Sequence, residues 1–309
     1  MHLCLGTTPT VQQTMIFDHV HVNEVNRAKS VLRGASGKAV NVARVLHTLG
    51  KPSTLCAPLG GDTGTFIKAN LSAAGVSHAC IEVRSPTRTC VTIIDQSLHT
   101  ATELVEEHGP ISATEYEHLL SLASSLIPAA KILVLSGSLA PGVPDDFYAL
   151  CCKRAADINV PIILDARESP LNLALKHSPL IVKPNRAELA ATVGEAIFDD
   201  RSLKQAILSL HDRGAQWVVV TMGREGAVAS NRNQIWKIPA PQINVLSPIG
   251  SGDSFAAGLA AGITRGQEVP EACRLGAACA AANCLTEGSG ILKRQDVHDL
   301  LKTIRLETY

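Results

Sequence analysis

Aromatic residues make up only 3% of this 309-residue chain, too few to build platforms on which the bases of a single strand stack. Net charge is missing too: 28 Lys plus Arg stand against 28 Asp plus Glu, with no block of like charge. That leaves no electrostatic footprint for a nucleic acid or an anionic membrane. Every longer apolar run is cut by Gly, Pro or a charge, so no membrane span is expected. The N-terminus has no basic segment leading into a long apolar stretch, and no secretory signal is read from it. Among nine cysteines there is no Cys-x-x-Cys pair, which removes the common spacing for zinc or dithiol chemistry. Most of the nine stand in apolar runs, where a thiol behaves as a small buried hydrophobe. Their odd number and scatter fit a reducing compartment, the cytoplasm. Gly-Lys-Ser/Thr is also absent, so the chain has no P-loop of the usual kind.

What is present is a large apolar fraction, 46%, enough for one α/β domain or two smaller ones. Compact apolar strands are expected at residues 2–5, 54–59, 78–83, 132–135, 161–164, 180–182 and 217–221. Helices with apolar residues at three- and four-residue spacing are expected at 38–49, 63–74, 145–156 and 202–213, and from Ser254 onward. Ser112 with Glu115 reads as a capping box opening another helix. This alternation predicts βαβ units, a mainly parallel sheet and helices on both faces. Strands at 15–22, 26–32, 89–95 and 100–105 instead alternate apolar with polar, so they are expected to form a small separate sheet. Gly34 to Gly37 reads as a break before the helix at 38–49. The sheet, discontinuous in sequence, can hinge over the larger body as a lid.

The most informative segment is Ser247-Pro-Ile-Gly250-Ser251-Gly252-Asp253-Ser254, which runs into Phe255-Ala-Ala-Gly-Leu-Ala-Ala-Gly. A helix start leaves its first N–H groups unpaired and partly positive, which suits an anion such as phosphate. Gly250 and Gly252 let the backbone approach closely. Asp253 then sits where a carboxylate can take a proton from an attacking hydroxyl. The same order also serves a plain turn into a helix.

Other polar clusters fall at strand ends, where ligands of open α/β sheets bind. Lys183-Pro-Asn185-Arg-Ala-Glu188 puts Asn185 and Glu188 on one helical face. There they can hold waters around Mg²⁺ or simply cap the helix. Thr221-Met-Gly223-Arg-Glu-Gly226 offers glycines for a nucleotide or for a hairpin turn. Ser136-Gly137-Ser138 and Asp165 end two more strands. Gly37, Lys38 and Asn41 open a helix where Lys38 can meet phosphate and Asn41 sugar hydroxyls. Arg27 and Arg88 are candidate phosphate clamps, because guanidinium pairs with phosphate through two parallel hydrogen bonds.

Taken together, five ordered passages resemble the PfkB (ribokinase-like) carbohydrate kinases, most closely the 1-phosphofructokinase and tagatose-6-phosphate kinase branch. They are Gly37 to Leu46, Gly60-Gly61-Asp62, Leu135 to Pro144, Lys183 to Leu189 and Gly250 to Asp253. The resemblance runs from Leu3 to about Leu300. It implies a ribokinase-like three-layer α/β sandwich: one kinase domain over 1–309, with a β lid from about 10–33 and 88–107, often at a homodimer interface. It implies ATP and Mg²⁺ as cofactors and transfer of the γ-phosphoryl group to a sugar-phosphate hydroxyl, on fructose 1-phosphate or tagatose 6-phosphate.

By the same resemblance Asp253 is the base, with Gly250, Ser251 and Gly252 as the anion hole. Lys183, Thr221, Gly223 and Gly226 meet ATP, and Asn185 and Glu188 are tied to Mg²⁺ through water. Gln12, Arg27, Gly37, Lys38, Asn41, Arg88 and Ser136 fall on the sugar side. That side departs from the close relatives. Gln12 stands where they carry an Asp that binds sugar hydroxyls. Ser36 and Ala39 interrupt a run of glycines, so added Cβ atoms crowd the substrate. Thr89-Cys90 follows Arg88 in place of an Asn. These changes leave open a kinase of an unphosphorylated sugar or nucleoside, and a sensor that binds a sugar phosphate without catalysis.

Overall fold

A computed structural model describes residues 1–309. The first strands are β1 (His2–Leu5), β2 (Thr10–Phe17), β3 (Ser30–Ser36), β4 (Ser53–Leu59), β5 (Ser77–Glu82), β6 (Thr89–Asp95) and β7 (Thr100–Val105). Then come β8 (Ile132–Ser136), β9 (Ile162–Asp165), β10 (Ile181–Val182), β11 (Trp217–Thr221), β12 (Ala227–Ser230), β13 (Ile235–Ile238) and β14 (Glu307–Thr308). The helices are α1 (Lys38–Thr48), α2 (Gly61–Ala73), α3 (Ala113–Leu126), α4 (Phe147–Ala156) and α5 (Glu168–Leu175). They continue with α6 (Arg186–Val193), α7 (Asp200–Asp212), α8 (Ser251–Ile263), α9 (Val269–Cys284) and α10 (Arg294–Thr303).

Ten strands make one sheet in the order β14-β13-β12-β11-β10-β9-β8-β1-β4-β5. Pairing is parallel from β5 to β11, and the last three strands join antiparallel at the far edge. Successive side chains along a strand point to opposite faces. Cys4, Ile132, Val134 and Val219 therefore enter one core with α1, α8 and α9. Leu3, Leu5, Leu133, Leu135, Val218 and Val220 enter the other with α3, α4 and α7. Helices on both faces explain why these strands are apolar without alternation. The result is the expected three-layer sandwich.

A second sheet has the order β3-β2-β6-β7, with β2 parallel to β6 and antiparallel to β3. Its half-polar pattern fits its position: β7 is exposed along its whole length, and so is β3 from Ser30 to Arg33. The strands at 89–95 and 100–105 lie where alternation puts them. The other two are displaced. β2 covers 10–17 because the chain bends after Phe17, and the Val20 amide donates to Asp95 Oδ2 at 2.8 Å. β3 covers 30–36, so Gly34 to Ser36 continue a strand, and the turn into α1 comes at Gly37, with φ of 107°. The β12–β13 hairpin and α5 carry no period that marks them in the sequence.

Candidate active site

The carboxyl ends of β8 to β11 bring Ser136, Asp165, Lys183 and Thr221 to one side of the large sheet. Helices α1, α6 and α8 begin on that side. A cleft of ≈ 1310 Å³ lies there, with the small sheet supplying Gln12, Arg88, Cys90 and Val105 to its far wall. This is the crevice beyond the strand ends that open α/β sheets use.

Gly250 precedes α8 in a left-handed conformation, with φ of 81°. A Cβ there would stand 2.5 Å from Ser289 Oγ, so no larger residue fits. The Ser251 amide reaches Pro248 O at 3.2 Å, while the amides of Gly250, Gly252 and Asp253 donate to no backbone acceptor. Three N–H groups thus stand without backbone partners beside a carboxylate at a helix start, where an anion is held most readily. Asp253 lines the cleft yet is only 7% exposed. Asn41 Nδ2 donates to its Oδ2 at 2.7 Å. Burial raises the Asp253 carboxyl to about 6, against the pull of Lys38, Asn41 and Lys183.

A chain of charges lies beside it. Lys38 Nζ is 3.1 Å from Asp165 Oδ1 and 3.0 Å from Glu188 Oε1. Lys183 Nζ is 3.2 Å from Asp165 Oδ2, both side chains being almost fully buried. Burial works against the Lys38 ammonium, but Asp165, Glu188 and Asp253 hold its pKa above the ordinary value. Burial likewise opposes the charge on Asp165, and Lys183 and Lys38 overcome it and keep that carboxyl below the usual range. Lys38 therefore faces carboxylates, where a phosphate partner is expected from the sequence. Asp165, noted in the sequence only as a residue that ends a strand, is given no role there, and the structure makes it the partner of both lysines. Its one signal is a carboxylate closing an otherwise apolar strand.

Asn185 and Glu188 form a reciprocal capping box at the start of α6. Asn185 Oδ1 accepts from the Glu188 amide at 2.8 Å, and Glu188 Oε2 accepts from the Asn185 amide at 2.9 Å. The capping reading is therefore realised, and both side chains also line the cleft. With Asp165 they present only oxygen donors, already bonded within the protein. That set suits a cation that keeps its water shell, as Mg²⁺ does.

Thr221, Gly223 and Gly226 line the cleft as well, Thr221 bridging to Asn185. Gly226 also makes the turn into β12, its Cα facing Ile238 O so closely that a Cβ would be 2.1 Å away. On the opposite wall Gln12 Nε2 donates to Thr92 Oγ1 at 2.8 Å. Arg88 Nη1 donates to Glu106 O at 3.2 Å, and its buried Nε has no protein partner.

Two expected sugar-side residues are not brought to the cleft. Arg27 is exposed on the loop between β2 and β3. Ser136 is buried at the end of β8, its Oγ unpaired, and does not line the cleft. Crowding by Ala39 is also corrected: its Cβ faces Gly6, where an added Cβ would be 2.8 Å away, and not the substrate side. Ser36 does line the cleft.

A three-layer α/β sandwich with a four-stranded annex over its strand ends defines the ribokinase-like fold. Arabidopsis thaliana ribokinase, solved with ribose and ATP, shares it at 22% identity and a TM-score of 0.76, over 97% of this chain and 98% of that one. Escherichia coli phosphofructokinase-2, solved with substrates and products, superposes with a TM-score of 0.90 at 24% identity, over 98% of each chain. A Thermotoga maritima protein described as a possible 1-phosphofructokinase gives 0.91 at 20% identity, over 100% and 99%. Residues 6–295 match the pfkB family carbohydrate kinases, and the chain belongs to that family.

Proposed function

We propose that this kinase transfers the γ-phosphoryl group of ATP to a hydroxyl of a sugar phosphate, fructose 1-phosphate or tagatose 6-phosphate. The observation that carries the reading is Asp253, buried, bonded to Asn41 and set beside three free amides. Asp253 accepts the proton of the acceptor hydroxyl as its oxygen attacks the γ-phosphorus. The bond to ADP breaks, and a phosphoester, ADP and a protonated Asp253 remain. The amides of Gly250, Gly252 and Asp253 meet the charge on the transferring oxygens, where preorganised donors do most for the rate. ATP lies along Lys183, Thr221, Gly223 and Gly226. Bound Mg²⁺ would neutralise phosphate charge, with Asn185, Glu188 and Asp165 holding its waters.

Arg88 supports the choice of a phosphorylated acceptor: its unpaired Nε is a buried donor next to the cleft, suited to an acceptor phosphate. In E. coli phosphofructokinase-2, solved with fructose-6-phosphate, the acceptor is of this class. The small sheet acts as a lid that excludes water during transfer. Its exposed Val31, Leu32, Leu104 and Val105 fit pairing with a second copy in a homodimer.

The test is ADP release measured with fructose 1-phosphate, tagatose 6-phosphate, fructose 6-phosphate, fructose and adenosine. Turnover confined to the phosphorylated sugars supports the reading. Faster turnover of fructose or adenosine replaces it with a kinase of unphosphorylated acceptors. Thermal shifts with phosphosugars but no ADP release make the protein a sensor.

A further inference from the structure

Both amide protons of Asn41 are committed inside the protein. One goes to Asp253 Oδ2 at 2.7 Å and the other to Ser289 Oγ at 2.8 Å. Ser36 Oγ donates to Asn41 Oδ1 at 3.2 Å and lies 3.3 Å from Ser289 Oγ. A hydroxyl gives one proton and accepts two. One arrangement satisfies every group: Asn41 donates to Ser289, Ser289 to Ser36, and Ser36 back to Asn41. The closed ring leaves the second Asn41 proton on Asp253. A flipped amide would keep the ring by reversing both hydroxyls but would turn Oδ1 toward the carboxylate, so Asp253 selects the amide end that faces it and the two serines fix the plane and position of that amide. All four side chains are buried, between 3% and 7% exposed.

The backbone around both serines is clamped. Arg44, one turn beyond Asn41 in α1, donates through Nη1 to Ser289 O at 3.2 Å and through Nη2 to Ala35 O at 2.6 Å. Asn70 Oδ1 of α2 accepts from Arg44 Nη2 and from the Ala35 amide, each at 3.2 Å. After Ser289 the chain presses on α1: a Cβ on Gly290 would stand 2.8 Å from Asn41 Cβ. Ser36 is the last residue of β3 and so belongs to the small sheet.

We propose that Ser36 and Ser289 are positioning residues: by fixing the Asn41 amide they hold the Asp253 carboxylate in its reactive orientation and tie that orientation to the strand that anchors the small sheet. The proposal rests on the reading of Asp253 as base. If β3 moves relative to α1, Ser36 is displaced first, and Asn41 is then free to turn.

Ser36→Ala removes one hydroxyl and leaves every charge in place. Asp253 is faced by Lys38 and Asn41 from α1, Lys183 beyond β10 and Asp165 at the end of β9. Glu188 of α6 acts on it through Lys38. The expected result is a kcat lowered about fivefold to tenfold with KM for ATP unchanged. Losing a well-aimed donor destabilises the carboxylate, so the acidic limb of the kcat–pH profile moves up by about half a unit to one unit. Ser289→Ala breaks the same ring from the other side and gives the same shift. A second readout needs no turnover: the ¹³C-carboxyl resonance of Asp253, assigned by its loss in Asp253→Asn, titrates at higher pH in both serine variants. Unchanged kcat and unchanged titration would overturn the proposal. So would a raised acceptor KM with an unshifted titration, which makes Ser36 a substrate contact. If the wild-type protein phosphorylates nothing, the base reading fails, and the carboxyl titration still judges the ring.

Discussion

The two sheets meet the same cleft on different terms. The large sheet is buried on both faces and sends rigid strand ends and helix starts into the site. Asp165, Lys183, Asn185, Glu188 and Asp253 all stand on them. The small sheet has one edge wholly exposed and supplies Gln12, Arg88 and Cys90. Of the departures that the resemblance implies, Gln12, Ser36 and Cys90 stand on the small sheet, whereas Ala39 packs with α1 against Gly6. On the proposed function, the reacting groups would sit where packing holds them, and selection of the acceptor would fall to the sheet that is held less. Geometry for phosphoryl transfer tolerates little movement, whereas a selective wall can change by single residues.

The division predicts a graded set of outcomes. Asp253→Asn should lower kcat by about 10³-fold while ATP still binds, read by steady-state assay and calorimetry. The wild-type kcat should fall as pH drops below about 6, where the buried carboxyl takes up its proton. That carboxyl lies above its ordinary value of 3.8, so its ionisation between those values costs the folded state stability as pH rises. Asp253→Asn should therefore melt no lower than wild type at pH 7. A large drop in melting temperature would mean that the residue holds the fold together.

Lys183→Met comes next. Asp165 would be left buried with Lys38 alone, and removal of one member of a buried pair costs about 3 kcal/mol. Urea denaturation measures this; an unchanged midpoint would show the pair to be dispensable.

Gln12→Asp is a sugar-wall change. A carboxylate bonds a hydroxyl more strongly than an amide, by a margin of about 1.4 kcal/mol, or tenfold. Acceptor KM should fall by that factor with KM for ATP unchanged, and equal change in both constants would break the division. The smallest effect is expected from Ala39→Gly: about 0.5–1 kcal/mol from helix propensity, read by thermal melting, with acceptor KM within about twofold. A larger KM change would return the Ala39 Cβ to the substrate side.

The layered fold and the β6–β7 pair were legible because their signals are local: unbroken apolar runs for strands covered on both faces, alternation for a sheet covered on one. The β12–β13 hairpin was not, since Ala227-Val-Ala-Ser is short and small, and the glycine turn that leads into it from β11 reads equally well as a nucleotide loop. Within the site, Gly250 to Asp253 announced itself through spacing. The partners of Lys38 did not, because Asp165 and Glu188 lie more than a hundred residues away and only folding brings them together. Ser289 carries no local signal at all. Its role appears only when the turn before α10 meets α1 and β3.

One consequence follows from the pairing of Lys38 and Lys183. The charged groups at the cleft floor are three carboxylates and two ammoniums, so before any ligand arrives this region carries no surplus of positive charge. A simple anion such as inorganic phosphate would find the three unpaired amides at the start of α8, without help from the lysines. On the proposed function, a polyphosphate with its own divalent counterion would enter on better terms, because Asp165 and Glu188 would have a cation to share and Lys38 and Lys183 would be freed for the phosphates. Preference for that pair over a simple anion would then be a property of the resting floor itself.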